Sequence, residues 1–182
     1  MPQDRASAPP VSDYPFAIRP EHVAERVGSW RTRIAVAVLG ATILAAFSGL
    51  LGGGPQRELS ARGGGLEAQL AYDPIVRSGN WFETTLTVRA GRPVTDLTVA
   101  VDQALWRRMS IDTIAPDAQS AEGLDGRYTY RFGEVKQGET FHLKFDGQIQ
   151  AGMLRRQTGR ITILDGDREL LAMPTVTLTV LP

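Results

Sequence analysis

Residues 81–90 read WFETTLTVRA, and the pattern of this stretch decides the fold class. The side chains of Phe82, Thr84, Leu86 and Val88 alternate with mostly polar ones, which is a period of two. Such alternation is typical of a β-strand with one buried face and one solvent-exposed face. The stretch therefore predicts one strand of a half-exposed sheet.

The same period recurs on both sides of this stretch, and turn residues separate the repeats. Apolar residues alternate with polar ones in 66–72, 97–101, 128–132, 141–145 and 176–180. Asp165-Gly166 lies between Ile161–Leu164 and Glu169–Met173, a spacing that predicts a two-stranded hairpin. We count about seven to nine strands in this pattern, with a short one around Arg108–Ile114.

The region after residue 65 has no segment with a helical period. We therefore predict an all-β fold for residues 66–182, an immunoglobulin-like antiparallel β-sandwich. A small barrel is the alternative. The large side chains of Trp81 and Trp106 are expected to fill the core, which must stabilise the domain without disulfides because the chain has no cysteine.

The N-terminal region contains the longest uncharged segment, IAVAVLGATILAAFSGLL, from Ile34 to Leu51. A helix needs about 20 predominantly apolar residues to cross a bilayer, so we predict one transmembrane helix over 34–54. The rival interpretation is a cleaved signal peptide. We favour an uncleaved anchor because the apolar stretch is long, residues 1–33 precede it, and no clear A-x-A site follows.

Charges beside the apolar segment predict its orientation. Arg26, Arg31 and Arg33 precede it, and Trp30 stands where an aromatic residue would lie at the membrane interface. Because basic flanks are retained in the cytoplasm, we expect the N-terminus inside and the C-terminal domain outside. Residues 1–33 would then form a largely disordered cytoplasmic tail, and the β domain would be periplasmic or extracellular.

Two further features of the N-terminal region predict how the domain is attached. The small residues Ala37, Ala41, Ala45 and Gly49 recur every four positions, a spacing that lets a second helix approach closely. The expected partners are the lipid bilayer and an integral membrane protein, or a second copy of the chain. Residues 55–65 are rich in glycine and are predicted to be a flexible linker.

The composition offers little material for catalysis. The chain has two histidines, His22 and His142, no cysteine and no G-x-S-x-G motif, so neither a thiol nor a serine hydrolase site is indicated. The net charge of zero argues against nucleic-acid binding. We predict no catalytic residue, no cofactor and no metal site.

Two groups of charged residues leave alternatives open. Acidic residues are grouped around the segment APDAQSAEGLDG at 115–126, where a solvated loop is favoured over a calcium site. Arg107-Arg108 and Arg155-Arg156 are paired bases, expected to form local salt bridges or to contact lipid headgroups rather than nucleic acid.

Two segments carry a resemblance at the level of architecture. VKQGETFHLKFDGQIQ at 135–150 resembles a strand entrance, and ITILDGDRELLAMPTVTLTVLP at 161–182 resembles a closing hairpin and last strand. Together with the anchor, they resemble uncharacterised bacterial single-span envelope proteins with an extracytoplasmic immunoglobulin-like domain. This resemblance implies a location in a bacterial plasma (inner) membrane. It also implies an accessory subunit of a multispanning membrane protein or of a respiratory-enzyme assembly system.

These observations predict a non-enzymatic, membrane-anchored accessory or interaction protein. A metal- or ligand-handling envelope protein, including an accessory of respiratory-enzyme assembly, is the alternative.

Overall fold

The computed structural model describes residues 30–49, 51–152 and 155–182, without the side chain of Arg155. One helix, α1, covers Trp30–Phe47. The strands that follow are β1 Arg57–Gly63, β2 Leu66–Tyr72, β3 Ile75–Arg77, β4 Trp81–Ala90, β5 Val94–Asp102, β6 Met109–Ala115, β7 Ser120–Leu124, β8 Arg127–Val135, β9 Thr140–Ile149, β10 Arg155–Gly159, β11 Ile161–Asp165, β12 Arg168–Ala172 and β13 Val176–Leu181. The prediction of an all-β region after residue 65 is confirmed in its coarse form. The described residues after 65 contain twelve strands, β2–β13, rather than seven to nine.

Helix α1 begins four residues before the predicted 34–54 span and ends well inside it. Arg31 and Arg33 therefore lie in its first turns rather than before it. The end at Phe47 has a clear cause, because Gly49, Gly52 and Gly53 adopt φ values of 76°, 87° and 74°. A right-handed helix cannot continue through such values, so the predicted span to residue 54 is wrong at its end.

The strands form three sheets. The first has the order β1-β2-β4-β9-β6 and the second has the order β12-β11-β5-β8-β7, and the pairs within both are antiparallel. The third is small, with the order β10-β13-β3, and its β13–β3 pair is parallel. The predicted hairpin around Asp165-Gly166 is present as β11–β12, with Gly166 and Asp167 between the paired ends.

The inner faces of the two large sheets share one hydrophobic core. Buried side chains of β2, β4 and β9 pack in the same cluster as those of β5, β8, β11 and β12. On β4, the four residues predicted to share a face, Phe82, Thr84, Leu86 and Val88, are all buried. Trp106 is 4% exposed and lies against Phe145, with the ring centroids 4.8 Å apart, as predicted for a large core residue.

Residues 57–63, predicted to belong to a flexible linker, instead form strand β1. All seven of its residues pair with β2 in continuous register, from Arg57↔Tyr72 to Gly63↔Leu66. Gly64 and Gly65 connect the two strands with φ values of 56° and 78°. Two successive positive φ values suit a tight hairpin turn, which explains the glycines better than a spacer does.

The acidic segment at 115–126 also differs from the predicted loop. Ser120–Leu124 form β7, which pairs with β8 along its whole length. Asp125 and Gly126 form the connecting turn, with φ values of 51° and 76°. The Asp-Gly pair is therefore a hairpin turn of the kind that favours those two residue types.

Candidate functional site: an acidic cleft and an arginine depression

An open cleft with a volume of about 420 Å³ lies beside strands β4, β6 and β9 of the first sheet. We call it the acidic cleft, and it is lined by Asp73, Trp81, Phe82, Glu83, Thr113 and Asp146. Strand register explains how these residues meet: Glu83 on β4 pairs with Asp146 on β9, and Asp146 pairs with Thr113 on β6. Three neighbouring strands thus place three polar side chains side by side.

Lys144 lies among the carboxylates of the acidic cleft. Its Nζ is 2.8 Å from Glu83 Oε2 and 3.3 Å from Asp146 Oδ2. Two hydrogen bonds raise the pKa of Lys144, and the one to Glu83 contributes more than the one to Asp146. With three carboxylates against one ammonium group, the cleft keeps an excess of negative charge at neutral pH.

The pKa of Asp73, which also lines the acidic cleft, is raised. Partial burial raises its pKa, and repulsion from Glu83 adds to the rise, whereas a hydrogen bond with Gln56 opposes it. A positive group entering the cleft would reverse both unfavourable effects, because it would replace lost hydration and neutralise Glu83. The acidic cleft therefore favours a bound cation more than the ion pairs of Lys144 with Glu83 and Asp146 alone would indicate.

Trp81 gives the acidic cleft an apolar wall. It is 67% exposed, so the expectation that Trp81 fills the core is wrong. The reason is the alternation of β4: Phe82 faces the core, and its neighbour Trp81 must face outward. An exposed indole beside carboxylates can hold a cation through both cation–π attraction and ion pairing. The parity of 81–90 could have revealed this.

A second surface feature joins residues that are far apart in sequence. We call it the arginine depression; it has a volume of about 130 Å³ and is lined by Ala104, Arg107, Arg156, Gln157 and Thr158. The buried Gln157 on β10 donates a hydrogen bond from Nε2 to the carbonyl oxygen of Arg107. The sequence showed both arginine pairs, but nothing in it indicated that they meet.

The predicted salt bridges of the arginine pairs do not form in the part of the chain that the structure describes. There, no carboxylate lies within 4.0 Å of the guanidinium groups of Arg107, Arg108 or Arg156. The acidic residue nearest to the loop, Asp102, has other partners. Its Oδ1 is 3.6 Å from Arg127, and its Oδ2 accepts a hydrogen bond from the backbone of Arg160.

Some of the residues predicted to pack against a second helix or to lie at a membrane interface are on helix α1, and others are not. Ala37, Ala41 and Ala45 lie on α1, but Gly49 lies beyond its end and does not continue the stripe. Trp30, Arg31 and Arg33 form the exposed start of α1. Arg26 lies outside the described residues, as do the predicted tail residues 1–29.

Other candidate chemical groups are dispersed. His142 is exposed on β9, and its Nδ1 lies 3.2 Å from Oγ1 of Thr87 on the neighbouring strand. Within 30–49, 51–152 and 155–182, no three His, Cys, Asp or Glu side chains form a group that could hold a metal ion.

The comparisons with known proteins include two remote structural likenesses. No family model matches the chain, and no curated protein matches it. The structure is similar to the DNA glycosylase AlkC of Pseudomonas fluorescens bound to DNA containing an abasic site analog, with a TM-score of 0.33 and 12% identity over 60% of this chain and 28% of that one. It is also similar to BslA, a bacterial hydrophobin, with a TM-score of 0.36 and 13% identity over 58% of this chain and 86% of that one. Both likenesses are too low to carry an argument about fold or function.

Proposed function

We propose that the protein is a non-enzymatic, membrane-anchored interaction module of the bacterial inner membrane. Helix α1 would serve as the anchor, with the N-terminus in the cytoplasm and the β domain outside. The observation that carries this proposal is α1 itself: apolar residues cover all its sides, and none of its residues is buried. An unburied apolar helix is unfavourable in water and favourable in a bilayer.

The length of α1 determines where its first residues would lie in the bilayer. Eighteen residues rise about 27 Å, slightly less than the hydrocarbon thickness of about 30 Å. Arg31 and Arg33 would therefore extend their guanidinium groups toward the headgroups while their aliphatic stems stay in the apolar layer. Trp30 would lie at the same interface.

The β domain supports the proposal through the order of its strands. We assign it an immunoglobulin-like sandwich, because β2-β4-β9-β6 matches the order A-B-E-D of that fold and β12-β11-β5 matches G-F-C. The added strands are β1 on one sheet and β8-β7 on the other. Sandwiches of this kind commonly serve as binding domains, with exposed loops and edges available to a partner.

The acidic cleft is the surface that fits a partner best. Trp81 combines large exposed apolar area with adjacent negative charge, a composition suited to a lysine or arginine side chain on another protein. The anchor would raise the local concentration of that partner if it resides in the same membrane. Weak contacts in the cleft would then be sufficient for association.

Ligand handling is the second candidate function, and the size of the acidic cleft favours it. A volume of about 420 Å³ lies in the range of small-molecule sites, roughly 300–1,000 Å³. The ligand would be a small organic cation such as a quaternary amine, held by Trp81 and the carboxylates. Both candidate functions use the acidic cleft. They differ in the binding partner, which is a protein in the first and a small molecule in the second.

Fractionation of the full-length protein tests the anchor. We expect the protein to stay in the membrane pellet after alkaline carbonate extraction, with residues before Trp30 still present by intact mass. A mature protein that begins after Phe47 and remains soluble would instead establish a cleaved signal peptide and overturn the anchor.

Chemical cross-linking in membranes, followed by purification, tests the acidic cleft. Trp81→Ala should reduce recovery of a cross-linked partner several-fold because it removes the indole. Leu124→Ala is the matched control, since Leu124 is 68% exposed but lies on β7, away from the cleft. Equal loss with both variants would contradict a role for the cleft.

The alanine stripe of α1 has a separate test. Ala41→Leu with Ala45→Leu places bulky side chains where a second helix would approach, and should weaken recovery of a membrane partner. Val36→Leu with Leu39→Ile is a control that leaves the three alanines unchanged. Unchanged recovery with the stripe variant would exclude docking through these alanines.

A further inference from the structure

The loop before β6 holds two exposed arginines on a rigid base. Leu105 and Trp106, within the loop, are buried at 3% and 4% exposure, and Arg107 and Arg108 follow them directly. Trp106 lies within about 6 Å of three aromatic rings, those of Tyr128, Tyr130 and Phe145. The two arginines therefore start from a backbone that the core has already fixed.

Hydrogen bonds fix the same loop at both of its arginines. The carbonyl of Arg107 accepts from Nε2 of the buried Gln157, and the carbonyl of Arg108 accepts from the backbone N–H of Gln150 at 3.1 Å. Arg108 also has a φ of 62°, a left-handed conformation that L-residues other than glycine adopt at a cost. Such strained residues are concentrated at functional sites, where the surrounding structure holds them in place.

Strand β10 supplies the other side of the arginine depression. Gln157 and Gly159 are buried, whereas Arg156 and Thr158 are exposed on the opposite face of the strand. A Cβ atom on Gly159 would come within 2.8 Å of Cβ of Leu105, so the loop and the strand are in close contact. This close packing is what allows Arg107 and Arg156 to line one depression.

We propose that the arginine depression binds a phosphate group. Arginine guanidinium groups donate paired hydrogen bonds to phosphate oxygens, and those of Arg107 and Arg156 face no carboxylate in the described chain that would compete. The volume of about 130 Å³ leaves room for one phosphate group. Thr158 also lines the depression, and a threonine hydroxyl is able to donate a further hydrogen bond.

The phosphate group can come from an anionic lipid headgroup or from a soluble ion, and two measurements on the full-length protein separate these sources. The first titrates inorganic phosphate into the protein in a neutral detergent and follows the heat of binding. The second places the protein in nanodiscs of phosphatidylcholine with and without phosphatidylglycerol and follows amide hydrogen exchange in residues 103–108 and 156–159. Neither depends on the acidic cleft, so failure here leaves the proposed interaction module intact.

Three double variants show whether phosphate binding depends on the guanidinium groups of Arg107 and Arg156 or only on positive charge at the surface. Arg107→Ala with Arg156→Ala should weaken phosphate binding, or the headgroup protection, by at least about tenfold. Arg89→Gln with Arg168→Gln removes the same charge from exposed positions on β4 and β12 and should have little effect. Arg107→Lys with Arg156→Lys keeps the charge but loses the paired donors, and should also bind weakly.

The possible results then divide cleanly. Binding of inorganic phosphate alone, or protection by phosphatidylglycerol alone, supports the site and identifies its source. The proposal is overturned if neither a heat of phosphate binding nor protection by phosphatidylglycerol is detected. It is equally overturned if the Arg89/Arg168 variant loses as much as the Arg107/Arg156 variant, or if the lysine variant binds like the unchanged protein, because diffuse positive charge would then explain the effect.

Discussion

The acidic cleft and the arginine depression carry opposite charge and are built in different ways. In the cleft, Glu83 and Asp146 project from neighbouring strands and share Lys144 as a partner. In the depression, Arg107 projects from a loop and Arg156 from an edge strand, and no carboxylate of the described residues pairs with them. Sheet register determines the first site, whereas packing of a loop against the core determines the second.

Each site also has its own tryptophan, and the two differ in burial. Trp81 is 67% exposed at the wall of the acidic cleft, and Trp106 is 4% exposed beneath the arginine loop. One indole is available to a partner and contributes little to folding, whereas the other stabilises the fold and supports the arginines indirectly. The two sites should therefore respond differently to equivalent changes.

The largest expected effect is that of Trp106→Ala. Removing a buried tryptophan should lower the free energy of unfolding by about 3–5 kcal/mol, because packing against Phe145 and two tyrosines is lost. Denaturant unfolding of the full-length protein in detergent measures this. Trp81→Ala is the control and should change stability by less than about 0.5 kcal/mol. Similar losses for the two variants would remove the distinction between the sites.

A smaller effect is expected from Arg108→Gly. The left-handed conformation costs an L-residue about 1–2 kcal/mol, and glycine avoids that cost at an entropic penalty of about 0.5–1 kcal/mol. We expect a net gain in stability of about 0.5–1 kcal/mol. Arg107→Gly, at a residue with ordinary φ, should instead destabilise the protein. A loss of stability with Arg108→Gly would show that its side chain, rather than its backbone, holds the loop.

The smallest effect concerns Asp73 and pH. Its pKa is raised in the folded protein, so the native state binds this proton more tightly than the unfolded state does. Its contribution is therefore favourable below the ordinary value of 3.8 and is lost as pH rises through the raised folded pKa. Asp73→Asn should flatten this part of the stability profile.

The size of the Asp73 effect is limited by solvent, because the group is only partly buried. We expect Asp73→Asn to add about a few tenths of a kcal/mol at neutral pH. Unfolding midpoints across the acidic range measure the change, and Glu122→Gln, on the exposed strand β7, is the control. An unchanged slope in the Asp73→Asn protein would show that another group controls stability there.

The sequence could predict those parts of the fold in which side-chain period and burial agree. The period-two pattern of β4 correctly indicated a buried face, and Leu66–Tyr72 has the predicted bounds. Residues 57–63 were missed because RELSARG has little apolar character, and as an edge strand β1 needs little. Glycine triplets are ambiguous too, since the same residues suit a flexible spacer and a hairpin turn.

The candidate sites were less accessible to sequence reasoning. The outward position of Trp81 follows from the alternation of 81–90, so the acidic cleft could have been found in part. Arg107 and Arg156 line one depression because the loop before β6 packs against β10. The pattern of residues along the sequence does not indicate such packing. Residues that converge only through tertiary packing stay hidden until the strand order is known.

The parallel pairing of β13 with β3 constrains the timing of folding. Thr179 pairs with Ile75, so the two partners are 104 positions apart. Among the described residues, β3 has three residues and pairs in the third sheet only with β13, and β10 likewise pairs there only with β13. The small sheet therefore depends on pairing between distant parts of the chain, and we expect it to close after the more local hairpins β1–β2, β7–β8 and β11–β12.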